Sequence, residues 1–361
     1  MQRRLIIHAG FPKSGTTALQ ASFRENNQVL KASGIEYPET KNDAHHGAAA
    51  ALVGRSIGWQ STKRDQSNWQ EFVQSINDST SDVVLISSEF LTAAGKKHIK
   101  RIKEEFAEFH IEIFFTLRPL NRIIPSIYQQ NLKKGSIHSY PEWISKKFMT
   151  ETGELRQTPR LINHAQVIEN WAKVFGAENI SLIIGDSRQP ELLYRLTEKL
   201  LGISQLSQVH TRALNRSLTV RECEILRRVN ASVNKKWSWY EYQKLVRQGY
   251  VKEITGTKST SGESGFQTPQ FLQDVISNFA SNQIKVIEKL GVRVLGDIQQ
   301  FCNTEQNQKD VVPLDESQIA REFKIVMGHL NWRRRKYRLN PLAILRRIKN
   351  KVLSKSKRPA R

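Results

Sequence analysis

The sequence predicts an α/β fold: a parallel β-sheet flanked by helices, followed by a helical C-terminal portion. Three observations lead there. Four near-continuous apolar runs of strand length stand at "RLIIHAG" (4–10), "DVVLISSE" (82–89), "IEIFFTLR" (111–118) and "ENISLIIGD" (178–186). Strands buried on both faces read this way, and parallel sheets bury both faces. Helical patterns lie between the runs, and strands alternating with helices argue for a parallel sheet. Apolar residues at 39% with 25% charged leave ample material for a core.

Taken in order, the first run is rich in Ile and ends in a glycine loop. "TTALQASFRENNQVLKAS" (16–33) then sets Leu19, Phe23 and Leu30 at helical spacing, with Gly34 to close the helix. Further helices are expected over 99–109 and over "RLINHAQVIENWAKVFG" (160–176). Beyond about residue 187 the pattern is helical: "ELLYRLTEKLLG" (191–202), "LTVRECEILRRVNASV" (218–233) and 270–290. "ITGTKSTSGESGFQT" (254–268) is rich in Gly, Ser and Thr and reads as a mobile loop. No internal repeat interrupts this order. The expected organisation is one domain over 1–332, with an α/β core over 3–190 and a helical portion over 191–332, then a basic tail over 333–361.

The net charge of +22 is unevenly spread. The tail carries 13 Lys/Arg and no Asp/Glu, which leaves +9 for the first 332 residues. A moderately basic body suits a protein that handles anionic ligands. Cys223 and Cys302 cannot build a disulfide framework and lack metal-ligand neighbours, so a reducing, cytoplasmic setting is expected. "MQRRLIIHAGFPKSG" begins basic, but its short apolar run ends in the loop, so it reads as a strand and not as a signal peptide. No apolar run approaches the roughly 18 residues of a membrane span.

The loop "HAGFPKSGTT" (8–17) nearly spells a phosphate-binding P-loop, G-x-x-x-x-G-K-[ST]. Gly10 and Gly15 have the right spacing and Thr17 stands where the Ser/Thr belongs, but Thr16 occupies the lysine position and the lysine lies inside the loop as Lys13. A strand, a glycine loop and a helix N-terminus form an anion site, because the first-turn N–H groups lack intrahelical partners. The second strand ends in Ser-Ser-Glu without the Asp expected of a magnesium-binding strand. A nucleotide with one 5′-phosphate bearing a leaving group suits this pattern, with no metal required.

"PKSGTT" strongly resembles the 5′-phosphosulfate loop of the sulfotransferases that use 3′-phosphoadenosine 5′-phosphosulfate (PAPS), in particular the bacterial carbohydrate-sulfotransferase type. In that family a strand ends in an arginine, followed about eight residues later by a helical serine, and the pair binds the nucleotide's 3′-phosphate. "LRPLNRIIPSIYQQNLKKG" matches with Arg118 and Ser126, and with Tyr128 and Gly135 behind. Pro119 biases Arg118 to extended geometry, which suits the carboxyl end of a strand, where open α/β sheets bind ligands. A guanidinium and a hydroxyl there would hold a doubly charged phosphate.

The resemblance covers about residues 3–186, with "LNRSLTVRECEILRRVN" (214–230) as a further similar segment. It implies a P-loop-like fold, PAPS as co-substrate without a metal, and nucleotide contacts from Pro12, Lys13, Ser14, Gly15, Thr16, Thr17, Arg118 and Ser126. Asn215 or Ser217 could touch the nucleotide, while Ser217 or Thr219 could instead cap the helix that follows.

Sulfuryl transfer resembles phosphoryl transfer, an in-line displacement driven by positioning and charge stabilisation. Lys13 is expected at the bridging oxygen of the leaving phosphate. The acceptor hydroxyl must lose a proton, so a base is needed. Glu89 is the first choice, since it ends its strand at the loop's edge and Golgi-type glycan sulfotransferases use a glutamate in a similar position. His46, with His45 before it in "KNDAHHGAAAALVG", is the rival. A zinc site lacks ligands at suitable spacing. Trp237, Trp239, Tyr240 and Tyr242 in "KKWSWYEYQK" either stack on sugar rings or pack helices.

The expected acceptor is a hydroxyl of a carbohydrate or glycolipid, with no nucleic acid as partner. Two other readings stand beside it. A P-loop kinase or NTPase is opposed by Thr16 and the missing Asp. A non-catalytic basic protein that binds membrane or nucleic acid draws on the tail alone. In "LNPLAILRRIKNKVL" (339–353), Leu342, Leu345, Ile348 and Val352 form one stripe flanked by Arg346, Arg347, Lys349 and Lys351. That is the pattern of an interfacial anchor on an anionic membrane surface at the inner face, or of a basic helix packed on its own domain.

Overall fold

The computed structural model describes residues 2–38, 44–56, 65–151, 162–185, 189–204, 206, 216–234, 236–257, 266, 268–303 and 314–339. The four apolar runs all form strands: β1 (Arg3–His8), β3 (Val83–Ser87), β4 (Phe109–Leu117) and β5 (Ile180–Ile184). Two short strands join them, β2 (Ile35–Glu36) and β6 (Arg293–Leu295). The sheet is parallel throughout, in the order β2-β3-β1-β4-β5-β6. From β1 the chain runs to one edge through β2 and β3, then crosses to β4, β5 and β6 on the other side. The order therefore reverses beside β1, and a crevice opens outside the carboxyl ends of strands at such a point.

Burial explains why the runs are so apolar. Leu5, Ile7, Val84, Leu85, Phe115, Leu117, Leu182 and Ile183 are completely enclosed, because helices cover both faces. Helices α1 (Thr16–Glu25) and α9 (Pro190–Leu201) pack Leu19, Phe23, Leu193 and Tyr194 against Ile6, Leu85, Phe114 and Ile183. On the opposite face Trp171 of α8 (His164–Phe175) meets Phe115 edge-on, with ring centroids 6.1 Å apart. Asn163 caps α8 by accepting from the Gln166 amide, and Gly176 ends it.

The helix expected over 16–33 is broken. It becomes α1 and α2 (Asn27–Ala32), because the Asn26 side-chain amide donates to Ser22 O at 2.8 Å and its backbone leaves helical geometry. Gly34 follows with φ 74°, a conformation suited to glycine. Helices α3 (Ala44–Leu52) and α4 (Ser67–Asn77) lie between β2 and β3. The helix expected over 99–109 is α5 (Lys96–Glu105), and Phe109 already belongs to β4. Helices α6 (Leu120–Leu132) and α7 (Tyr140–Phe148) follow β4.

The chain forms two compact units, each assembled from separated segments. The first comprises Met1–Ser126, Ile144–Thr211 and Gln267–Gln306, and the second Ile127–Trp143, Arg212–Phe266 and Asn307–Arg361. The first holds the whole sheet. It includes β6 and α13 (Gln270–Leu290), which fall in the region expected as the helical portion, 191–332.

The second unit is helical. Its α10 (Val220–Val233) begins with a capping box in which Thr219 accepts from the Glu222 amide, while Ser217 is exposed. Asn215 lies outside the described residues. Buried Asn230 ties the unit together, donating to Leu132 O and Ser136 O at 2.8 Å and accepting from the Tyr242 hydroxyl at 2.8 Å. Helix α11 (Trp239–Glu241) runs through a π-helical stretch, Tyr242–Val251, into α12 (Lys252–Gly256). The aromatic cluster packs within this unit. Trp239 stacks on Tyr242, Tyr240 lies beside Tyr337, and the Arg334 guanidinium covers Trp237.

Helix α14 (Glu316–Leu339) closes the described chain. It takes in the first part of the basic stretch, where Arg334 and Arg338 pair with Glu241 at 3.1 and 2.7 Å and Arg333 pairs with Glu253 at 2.6 Å. Burial opposes ionisation of Glu241, but hydrogen bonds from Arg334 and Arg338 hold its carboxyl down at about 2. The helix stripe expected over 339–353, from residue 340 on, and most of the loop expected over 254–268 lie outside the described residues. No helix among the described residues is long and apolar enough to cross a membrane.

Candidate active site

The loop over residues 9–15 joins the carboxyl end of β1 to the N-terminus of α1. Gly15 is the N-cap with φ 96°, and no side chain caps the helix; the Ala18 amide turns back to Gly15 O at 3.0 Å, so the Thr16 and Thr17 amides are the first-turn donors at the loop. Lys13 also has a positive φ, 72°, which is uncommon for a residue with a Cβ. Arg118, at the end of β4, donates from Nη1 to Lys13 O at 3.3 Å and so holds the loop in that conformation. Gly10 is there for room. A Cβ at residue 10 would lie 2.4 Å from Thr16 Cγ2, 2.5 Å from His8 Nε2 and 2.6 Å from Thr116 Oγ1.

Beneath the loop runs a buried polar chain that the apolar pattern had concealed. The Ser14 hydroxyl donates to Phe11 O at 2.6 Å and lies 2.7 Å from Thr116 Oγ1. Thr116 lies 3.4 Å from His8 Nε2, and His8 Nδ1 lies 2.8 Å from the Ser87 hydroxyl. His8 sits between Ser87 and Phe114 in the sheet register and stacks on the Phe114 ring. Burial, reinforced by the nearby His46, lowers its pKa to about 3, so the ring is neutral. The chain thus fastens the loop to the ends of β1, β3 and β4. It also turns the Ser14 hydroxyl inward, so the side chain of this expected nucleotide contact is already engaged with the protein.

Glu89 begins a 3-10 turn (Glu89–Ala93) directly after β3. Its Oε2 accepts from the Thr16 hydroxyl at 3.3 Å, which sets the carboxylate against the first residue of α1. Ser88 caps the turn by accepting from the Phe90 amide, and its hydroxyl lies 2.9 Å from His46 Nδ1. His46 is half-buried and meets Phe90 edge-on. His46 is thus hydrogen-bonded to Ser88, the residue that precedes Glu89 in the chain. His45 is different. Its Nδ1 accepts from the Ser87 amide at 3.1 Å and its Nε2 donates to Pro38 O at 2.9 Å. Both nitrogens are occupied, and burial brings its pKa to about 4 despite the Pro38 bond. His45 is a neutral strut.

Arg118 is half-buried, and burial, with the neighbouring Arg122 charge, lowers its pKa below the usual arginine value. An anion beside it would relieve both effects. Ser126 lies half-buried on the second turn of α6. Thr17 is exposed on the first turn of α1, and Pro12 and Lys13 are half-buried in the loop. Of the residues singled out in the sequence, Lys13, Ser14, Gly15, Thr16, Glu89, His46 and Arg118 are joined by these hydrogen bonds or by direct chain continuity. Sequence reasoning missed His8 and Thr116, and it read Ser87 only as a small polar residue suited to a site edge, whereas Ser87 is buried against His8. Their signal was a polar residue closing, or next to closing, an apolar stretch at the carboxyl end of each strand.

Among the described residues, no group of three or more His, Cys, Asp or Glu side chains could hold a metal ion. No protein-family model matches the chain, and no curated protein matches it. Among solved structures, a sulfotransferase from Alicyclobacillus acidocaldarius matches over 82% of this chain and 98% of its own, at 16% identity and a TM-score of 0.44.

Proposed function

We propose that the chain is a PAPS-dependent sulfotransferase that acts on a hydroxyl of a carbohydrate or glycolipid. The observation that carries this reading is the meeting of three strand ends: the uncapped glycine loop after β1, Glu89 after β3 and Arg118 after β4, linked through Thr16 and Lys13. The donor set fits the nucleotide. First-turn amides and Lys13 suit a 5′-phosphate, and a desolvated arginine suits a second phosphate. The Gly10 contacts leave no space for a side chain behind the loop. PAPS would supply the activated sulfuryl group. Pro12, Lys13, Gly15, Thr16 and Thr17 would hold its 5′ end, and Arg118 with Ser126 its 3′-phosphate.

In this reading Lys13 offsets charge on the departing phosphate, and Glu89 takes the proton of the acceptor hydroxyl. The Thr16 hydroxyl orients the Glu89 carboxylate and leaves its other oxygen to meet the acceptor. His46, hydrogen-bonded through Ser88, serves as a positioning residue beside it. The deciding assay is transfer of labelled sulfate from PAPS to a panel of polysaccharides and lipid-linked sugars, with EDTA present. Transfer to a glycan supports the reading. Magnesium-dependent ATP hydrolysis without sulfate transfer would replace it with a P-loop NTPase.

A further inference from the structure

The outer face of α14 has a composition that neither the nucleotide site nor the packing of the second unit explains. The inner face carries buried Ile319 and Leu330 and the paired Arg333 and Arg334. The outer face presents Ile325 at 71% exposure and Trp332 at 52%. These residues are two helical turns apart on one stripe. Around them stand the exposed cations Arg321, Lys324, Arg335 and Lys336, with the Lys336 ammonium 4.1 Å from the Trp332 ring centre and His329 stacked beside it. The acidic residues of the helix, Glu316 and Glu322, are engaged with Arg228 and Arg221 and do not neutralise this face. Beyond the helix, residues 340–361 add eight Lys/Arg and no Asp/Glu.

We propose that this face of α14 is a docking surface for an anionic lipid bilayer, with Ile325 and Trp332 entering the headgroup boundary and the cations meeting lipid phosphates. Charge complementarity selects an anionic partner, and the apolar pair selects a bilayer over a nucleic acid. A phosphate backbone has no use for a largely exposed isoleucine, whereas an interfacial helix buries its apolar stripe several ångströms into the headgroup region. Tryptophan favours that boundary because its ring is apolar and its N–H polar. The surface includes a described helix of the second unit, so it does not depend on the tail forming any structure. It is also independent of the sulfotransferase reading.

The test is co-sedimentation of the full-length protein with phosphatidylcholine vesicles, with or without phosphatidylglycerol, at low salt. Binding is expected only to the anionic vesicles. Ile325→Ser with Trp332→Ser leaves the charge unchanged and should weaken binding by at least tenfold. Lys324→Gln, Arg335→Gln and Lys336→Gln together should weaken it by roughly a hundredfold or more, since each cation near such a surface contributes about one factor of five. Tryptophan quenching by brominated lipid should diminish in Trp332→Ser alone. All substituted side chains are exposed, and thermal melting confirms that the variants fold. Failure of the wild type to bind anionic vesicles overturns the proposal. So does unchanged binding by the Ile325/Trp332 variant, or binding to duplex DNA in place of vesicles.

Discussion

Gly10→Ala tests the geometry of the loop most severely, because the added methyl has nowhere to go. Its Cβ would lie 2.4–2.6 Å from atoms of Thr16, His8 and Thr116, well inside the contact distance of roughly 3.5–4.0 Å. Relief requires moving Thr16, His8 and Thr116 together, and two of them are held: His8 to Ser87 at 2.8 Å and Thr116 to Ser14 at 2.7 Å. Overpacking costs about 1–3 kcal/mol, and a buried hydrogen bond lost with it adds about 1–3 kcal/mol. The stiffer unfolded chain returns only about 0.4–1 kcal/mol. The net expectation is a destabilisation of about 2–5 kcal/mol, read from urea unfolding. Binding of adenosine 3′,5′-bisphosphate should weaken as the loop shifts. Gly328→Ala is the control, since no neighbour lies within 4 Å of its Cβ. It should stabilise α14 by about 1 kcal/mol. A Gly10→Ala protein with wild-type stability and nucleotide affinity would refute the packed loop.

Glu89→Gln keeps an oxygen for the Thr16 hydroxyl but removes the basicity, so turnover should fall roughly 10²–10⁴-fold with nucleotide affinity nearly intact. Should His46→Ala abolish transfer while Glu89→Gln stays active, the base is the histidine. His8 and His45, with pKa values near 3 and 4, bind protons only when unfolded until the pH falls that low. Their contribution to stability is complete above about pH 6.5 and declines as pH falls, by up to about 1.4 kcal/mol per pH unit each. A urea midpoint unchanged between pH 7 and pH 5 would contradict this. Glu241→Gln breaks the pairs with Arg334 and Arg338 and should cost about 3 kcal/mol of unfolding free energy. In the wild type this carboxylate's contribution, present above its unfolded value, is lost as pH falls through about 2.

The loop and the four main strands were legible because backbone chemistry restricts what can stand there. A strand closed on both faces must be apolar, and an anion-binding turn needs glycines at fixed spacing. The short strands β2 and β6 carry too few residues to make a run, and β6 is exposed at Arg293 and Val294. The break at Asn26 depends on a side chain competing for a backbone carbonyl, which helical periodicity does not register. The chain through His8, Ser87 and Thr116 joins residues 79 to 108 positions apart, so only the parallel register brings it together. The second unit draws on three separated segments, and buried Asn230 bonds two backbone carbonyls, of Leu132 and Ser136, that are more than 90 positions away.

The central claim is that the loop and Arg118 together read a nucleotide with phosphates at both ends. Calorimetric titration of adenosine 3′,5′-bisphosphate and of AMP, in EDTA, tests it most directly. The account predicts tight binding of the bisphosphate and weaker binding of AMP by roughly 10- to 150-fold, since one charge-assisted contact contributes about 1.5–3 kcal/mol. In Arg118→Ala that gap should narrow, chiefly through loss of bisphosphate affinity. Equal affinity of the wild type for the two nucleotides would contradict it.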